Sequence, residues 1–70
     1  MRVRIREPQL LPQLVDSLAR GDCLATQVDE STCEVLLPFI PDEREAWLEL
    51  RFFLRAWAGL HPGADPELVA

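Results

Sequence analysis

The 70-residue chain predicts an α+β domain, and three observations lead there. Residues 2–6, Arg-Val-Arg-Ile-Arg, alternate charged and aliphatic side chains with the period of a half-buried strand. Residues 42–60 instead repeat their apolar positions at helical spacing. Between these segments, two short β-type runs flank Asp29-Glu30-Ser31, a composition suited to a hairpin turn.

In the first strand Val3 and Ile5 are expected to face inward, with Arg2, Arg4 and Arg6 facing out. A helix follows, starting between Pro8 and Pro12, because proline has no N–H to lose in a first turn. Leu11, Leu14, Val15 and Leu18 form its apolar stripe, and Gly21 is placed for a left-handed cap. Residues 23–28 and 32–37 are the hairpin arms. A two-residue loop, with Asp29 opposite Thr32, would gather Leu24, Thr26, Val28, Cys33, Val35 and Leu37 on one nearly apolar face. In that register Cys23 and Cys33 lie about 17 Å apart, too far for a disulfide, and their spacing matches no zinc pattern. Both are expected to be free thiols.

Pro38 and Pro41 close the third strand. Asp42 suits a helix N-cap, with Glu45 three positions on to complete a capping box. Ala46, Leu50, Phe53, Leu54 and Trp57 cluster on the sheet-facing side of this helix, with Trp47 at the edge of the stripe. Gly59 and His61-Pro62-Gly63 end it, and Leu68 and Val69 supply a terminal strand.

The order β-α-β-β-α-β, joined by right-handed crossovers, predicts a single domain over residues 1–70. Its architecture is a ferredoxin-like plait: a four-stranded antiparallel sheet in the order 4-1-3-2, with both helices on one face. An apolar fraction of 49% suffices for a core and argues against disorder. No run approaches the roughly 18 apolar residues of a membrane span. The N-terminal segment lacks the apolar region of a secretory signal, so the cytosol is the expected compartment.

All seven basic residues are arginine, and Lys, Asn and Tyr are absent, a bias that points to a GC-rich bacterial genome. Pro8-Gln9-Leu10-Leu11-Pro12, Cys33-Glu34-Val35-Leu36-Leu37-Pro38, Leu54-Arg55-Ala56-Trp57 and Leu60-His61-Pro62-Gly63 together resemble small uncharacterised proteins of actinobacterial-type genomes. That similarity implies the plait topology and no particular activity. The topology is shared with RNA-recognition domains, but those stack bases on aromatics of the central strands. Here all five aromatic residues lie between Phe39 and Trp57. The Cys-x-x-Cys loop of heavy-metal-associated domains and the catalytic asparagine of acylphosphatases are also missing.

Two surfaces stand out. Leu48, Phe52 and Ala56 form a second apolar line on the long helix at i, i+4 and i+8, flanked by Glu45, Glu49, Arg51 and Arg55. Seventy residues leave little chain to cover it, so a partner is expected, most simply a second copy in a two-fold dimer, with another protein as the other candidate. Arg2, Arg4 and Arg6 form the alternative, a ladder able to hold a small anion or nucleic acid. The net charge of −5 disfavours nucleic acid, and Glu34, Asp65 and Glu67 are placed to neutralise the ladder. His61 is the only histidine and has no recognisable catalytic partner. The chain is therefore read as a non-enzymatic interaction module, with no catalytic residue, metal site or cofactor expected.

Overall fold

In the computed structural model, which describes residues 1–69, the chain runs β1 (Arg2–Arg4), α1 (Leu11–Arg20), β2 (Leu24–Gln27), β3 (Thr32–Leu36), α2 (Glu43–Leu60) and β4 (Glu67–Val69). The strands form one antiparallel sheet ordered β2-β3-β1-β4, which is the expected 4-1-3-2 read from the opposite edge. Val3 sits centrally, paired with Cys33 on one side and Leu68 on the other. The regular part of β1 is two residues shorter than the Arg-Val-Arg-Ile-Arg pattern. Its backbone nevertheless stays tied down, Ile5 N–H donating to Ser31 and Arg6 N–H to Ala64.

One face of the sheet, carrying Val3, Cys33 and Val35, is covered by Leu11, Leu14 and Leu18 of α1 and by Ala46, Leu50, Leu54 and Trp57 of α2. These side chains form one buried cluster with Ile5, Leu37 and Ala64. Truncating a leucine at such a position costs about 2–5 kcal/mol. That is a large share of the roughly 5 kcal/mol available to a domain this small.

A short 3₁₀ turn, Pro8–Leu10, leads into α1, and Pro12 occupies its first turn as expected. The end of α1 differs from the sequence expectation. Gly21 keeps a negative φ of −89°, and Asp22 takes the left-handed position at φ 64°. Asp22 N–H donates to Ala19 and Cys23 N–H to Leu18, the paired bonds of a Schellman cap. Aspartate tolerates this conformation better than most L-residues, which is why glycine is not needed there.

The hairpin register also differs, by one residue. Gln27 faces Cys33 and Ala25 faces Val35, so the loop contains three residues, Asp29, Glu30 and Ser31. The Asp29 carboxylate accepts from Ser31 N–H at 2.9 Å, an Asx turn that closes this odd loop. The same bond holds the Asp29 carboxyl below its usual pKa. Leu24, Thr26 and Val28 consequently point to the open sheet face instead of the core. Cys23 and Ala25 turn inward against the core, and their small side chains let α1 lie close over β2. Both cysteines are free, as expected, although the argument from the two-residue loop no longer applies.

In α2, Asp42 caps the first turn by accepting from Arg44 N–H at 3.1 Å. Among the described residues Glu45 does not close the return bond of a capping box. At the far end His61 stacks on the buried Trp57 with ring centroids 4.1 Å apart. Its Nδ1 lies 3.0 Å from the Trp57 carbonyl and donates to it, satisfying one of the unpaired carbonyls of the last helical turn. Gly63, at φ 94°, then turns the chain where a Cβ would strike the Glu7 carboxylate. Trp47 departs from expectation: it is 40% exposed, and the Arg51 guanidinium lies 5.3 Å from its ring centroid.

Candidate functional site

The helical rotation of about 100° per residue sorts the outward side of α2 into three strips. Arg44, Arg51 and Arg55 occupy one flank, Leu48, Phe52 and Ala56 run obliquely down the middle, and Glu45 and Glu49 occupy the other flank. All eight side chains are exposed. Phe52 is 64% exposed and Leu48 41%, so the second apolar line is not covered by the rest of the chain. Leu48, Phe52, Arg51 and Arg55 enclose a shallow depression of about 180 Å³. Gly59 continues the line, and a Cβ added there would meet open space.

The two charged flanks are consistent in sign along the helix. Arg55 and Glu49 sit three residues after and before Phe52, about 60° to either side of it. This segregation is more ordered than the mixed rim expected from the sequence. An apolar strip with a basic edge and an acidic edge can be matched by a second copy of itself.

The arginine ladder lies on the open face of the sheet. The three expected acids each pair with one member: Arg2 Nε is 3.6 Å from Glu34, Arg4 is 3.7 Å from Glu67 and Arg6 is 3.4 Å from Asp65. The pairs are exposed, so each contributes only about 0–1 kcal/mol to stability. Their consequence is electrostatic: an incoming anion would compete with three carboxylates already in place. Thr26, Thr32 and Val69 lie in the same rows, with Leu24 and Leu36 opposite each other at one end.

Neither thiol is arranged for nucleophilic chemistry. Burial, reinforced by Glu34, pushes Cys33 up to about 11. Burial raises Cys23 as well, helped by the charges of Asp22 and Glu49. His61 is occupied by Trp57 through both its ring face and Nδ1. Among the described residues no group of three or more His, Cys, Asp or Glu side chains is placed to hold a metal. No described helix is long and apolar enough to cross a membrane.

Two surface features were not read from the sequence. Trp47 joins Arg51 on the surface because its position on α2 falls beyond the edge of the sheet-facing stripe. The Leu24–Leu36 pair is exposed because of the one-residue shift of the hairpin. The Asx-turn signature Asp29-x-Ser31 was the available signal for that shift. No family model matches the chain, and no curated protein and no solved structure matches it either.

Proposed function

We propose that this chain is a non-enzymatic, cytosolic interaction module of ferredoxin-like plait architecture that self-associates through the outward face of α2. The observation that carries the reading is the exposure of Leu48 and Phe52 between a basic flank and an acidic flank. In a two-fold dimer Leu48, Phe52 and Ala56 pack against their symmetry mates. Ridges spaced four residues apart interdigitate at a crossing angle near −50° but leave helix polarity open. Charge selects the polarity. With the two helices running in the same sense, the two-fold axis brings the arginine flank of one copy to the glutamate flank of the other. Opposed helices would set arginine against arginine and glutamate against glutamate. The parallel sense is the one adopted.

The apolar strip is small beside the roughly 800 Å² per partner of a standard interface. The dimer is accordingly weak, with a Kd in roughly the micromolar range. Anion or nucleic-acid binding by Arg2, Arg4 and Arg6 has less support, because each arginine faces a carboxylate. Light scattering across a concentration series tests the reading. The mass rises from 8.0 kDa toward twice that value as the chain is concentrated. A constant 8.0 kDa up to about 1 mM, far above a micromolar Kd, rejects self-association. Glu49→Gln tests polarity through the sign of its effect: the parallel dimer weakens, whereas an antiparallel one, relieved of a glutamate pair, would tighten.

A further inference from the structure

We propose that the groove between α2 and β4 receives a short acidic peptide in extended conformation, which adds to the sheet as a fifth strand along β4. The groove has a volume of about 500 Å³ and is bounded by Trp47, Arg51, Leu54 and Arg55 of α2 and by Pro66 and Leu68. β4 is an edge strand, hydrogen-bonded to β1 on one side only. Its other backbone edge offers N–H and C=O groups to an added strand. Leu68 pairs with the inward-facing Val3, so its side chain projects to the helix side of the sheet and forms part of the groove wall.

Charge identifies the occupant. The chain carries a net charge of −5, yet this groove is basic. Arg2, Arg4, Arg6 and Arg20 each have a carboxylate within 4.0 Å. Among the described residues Arg51 and Arg55 have none, and Asp65, the one acid lining the groove, is engaged by Arg6. Arg51 is also held in place over the Trp47 ring. Two guanidinium forks, one of them held over an exposed indole, suit carboxylates that bracket an apolar side chain.

Shape favours an extended segment over a compact anion. The helix flank lining the groove spans Trp47 to Ala58, about 16 Å at the helical rise. About five residues of strand cover that length. Alternate residues of an added strand face the helix, so the pattern acid-x-apolar-x-acid places both acids near the arginines and the apolar side chain on Trp47, Leu54 and Leu68.

The test is a titration of the isotope-labelled chain, followed by amide and indole resonances, with acetyl-Asp-Thr-Leu-Thr-Asp-amide. The expected result is a shift of the Glu67, Leu68 and Val69 amides together with the Trp47 indole N–H. The peptide with Asn at both acidic positions should bind about tenfold more weakly, and Arg51→Gln should weaken binding about fivefold, each exposed pair contributing up to about that factor. Because Arg51 is exposed, its substitution leaves the melting temperature unchanged. Equal binding of the Asn peptide, or no shift at millimolar peptide, would overturn the proposal. Movement of Trp47 without the β4 amides would also overturn it, since an anion would then rest on the arginines without adding a strand. Leu48 and Phe52 lie outside this groove, but Arg51 and Arg55 border both surfaces. The titration is therefore made on the Phe52→Ala chain, in which dimerisation no longer competes for the arginines. A monomeric result in the mass measurement then leaves the outcome untouched.

Discussion

Replacing Phe52 with alanine separates the surface of α2 from the core beneath it. A phenylalanine presents about 200 Å², and Phe52 is 64% exposed, which leaves about 130 Å² for a partner. At about 25 cal/mol per Å² that area is worth ~3 kcal/mol per copy, and both copies lose it in a two-fold dimer. Alanine keeps its Cβ and a small interface covers the ring incompletely, so about half of the total is the working figure, ~3 kcal/mol. Dimerisation should therefore weaken about 100-fold. Folding of the monomer should change by less than about 0.5 kcal/mol, because little of the ring packs on its own chain. Sedimentation equilibrium measures the first quantity, and urea unfolding at low micromolar concentration measures the second. A dissociation constant within about threefold of the parent would refute the assignment of this face. A loss of stability above about 2 kcal/mol would instead place the ring in the core.

Three further outcomes follow from the fold. Asp42→Ala removes the acceptor of Arg44 N–H and should destabilise the domain by about 1 kcal/mol in urea unfolding, whereas Asp42→Asn, which keeps a side-chain oxygen there, should retain most of the stability. Asp22→Gly relieves a left-handed residue at the end of α1 and should raise stability by about 0.5–1 kcal/mol, read as a higher melting temperature. The Cys33 thiol, raised from 9.0 to about 11, stays protonated in the folded chain where the unfolded chain releases its proton. Its contribution is thus complete below pH 9.0 and is lost as the pH climbs toward about 11. Stability should fall by roughly 2 kcal/mol across that interval, and Cys33→Ala should flatten that slope in a pH series of urea midpoints.

Much of the fold was legible because local signals agreed with the tertiary arrangement. The alternation in residues 2–6, the prolines before α1 and the Asp42 cap each mark an element that forms where expected. Both helical stripes were read from spacing, and the exposure of Leu48 and Phe52 follows from a helix having only one side turned to the sheet. The hairpin was harder. Counting apolar residues favoured Leu24 and Val28 inside, but the Asp29 side chain closes a three-residue loop and the close packing of α1 selects Cys23 and Ala25. Trp47 shows the same limit: periodicity places it beside the stripe, and only the reach of the sheet decides which side of the boundary it takes. Glu34 and Glu67 were read correctly as facing the arginine ladder because β1 is central and its neighbours' outward residues are fixed by strand alternation, whereas Asp65 reaches Arg6 from the turn before β4. The groove beside β4 had no counterpart in the sequence, since it arises where a helix flank and a strand edge far apart in the chain come together.

The most direct test of the proposed α2 interface is an isotope-filtered NOE experiment on a mixture of labelled and unlabelled chain, at a concentration where the mass exceeds that of one chain. Cross-peaks between chains from the Phe52 ring to the Leu48 methyls and to Phe52 of the other copy are the predicted result. Cross-peaks confined to Leu24 and Leu36 would move the contact to the open sheet face and contradict the account.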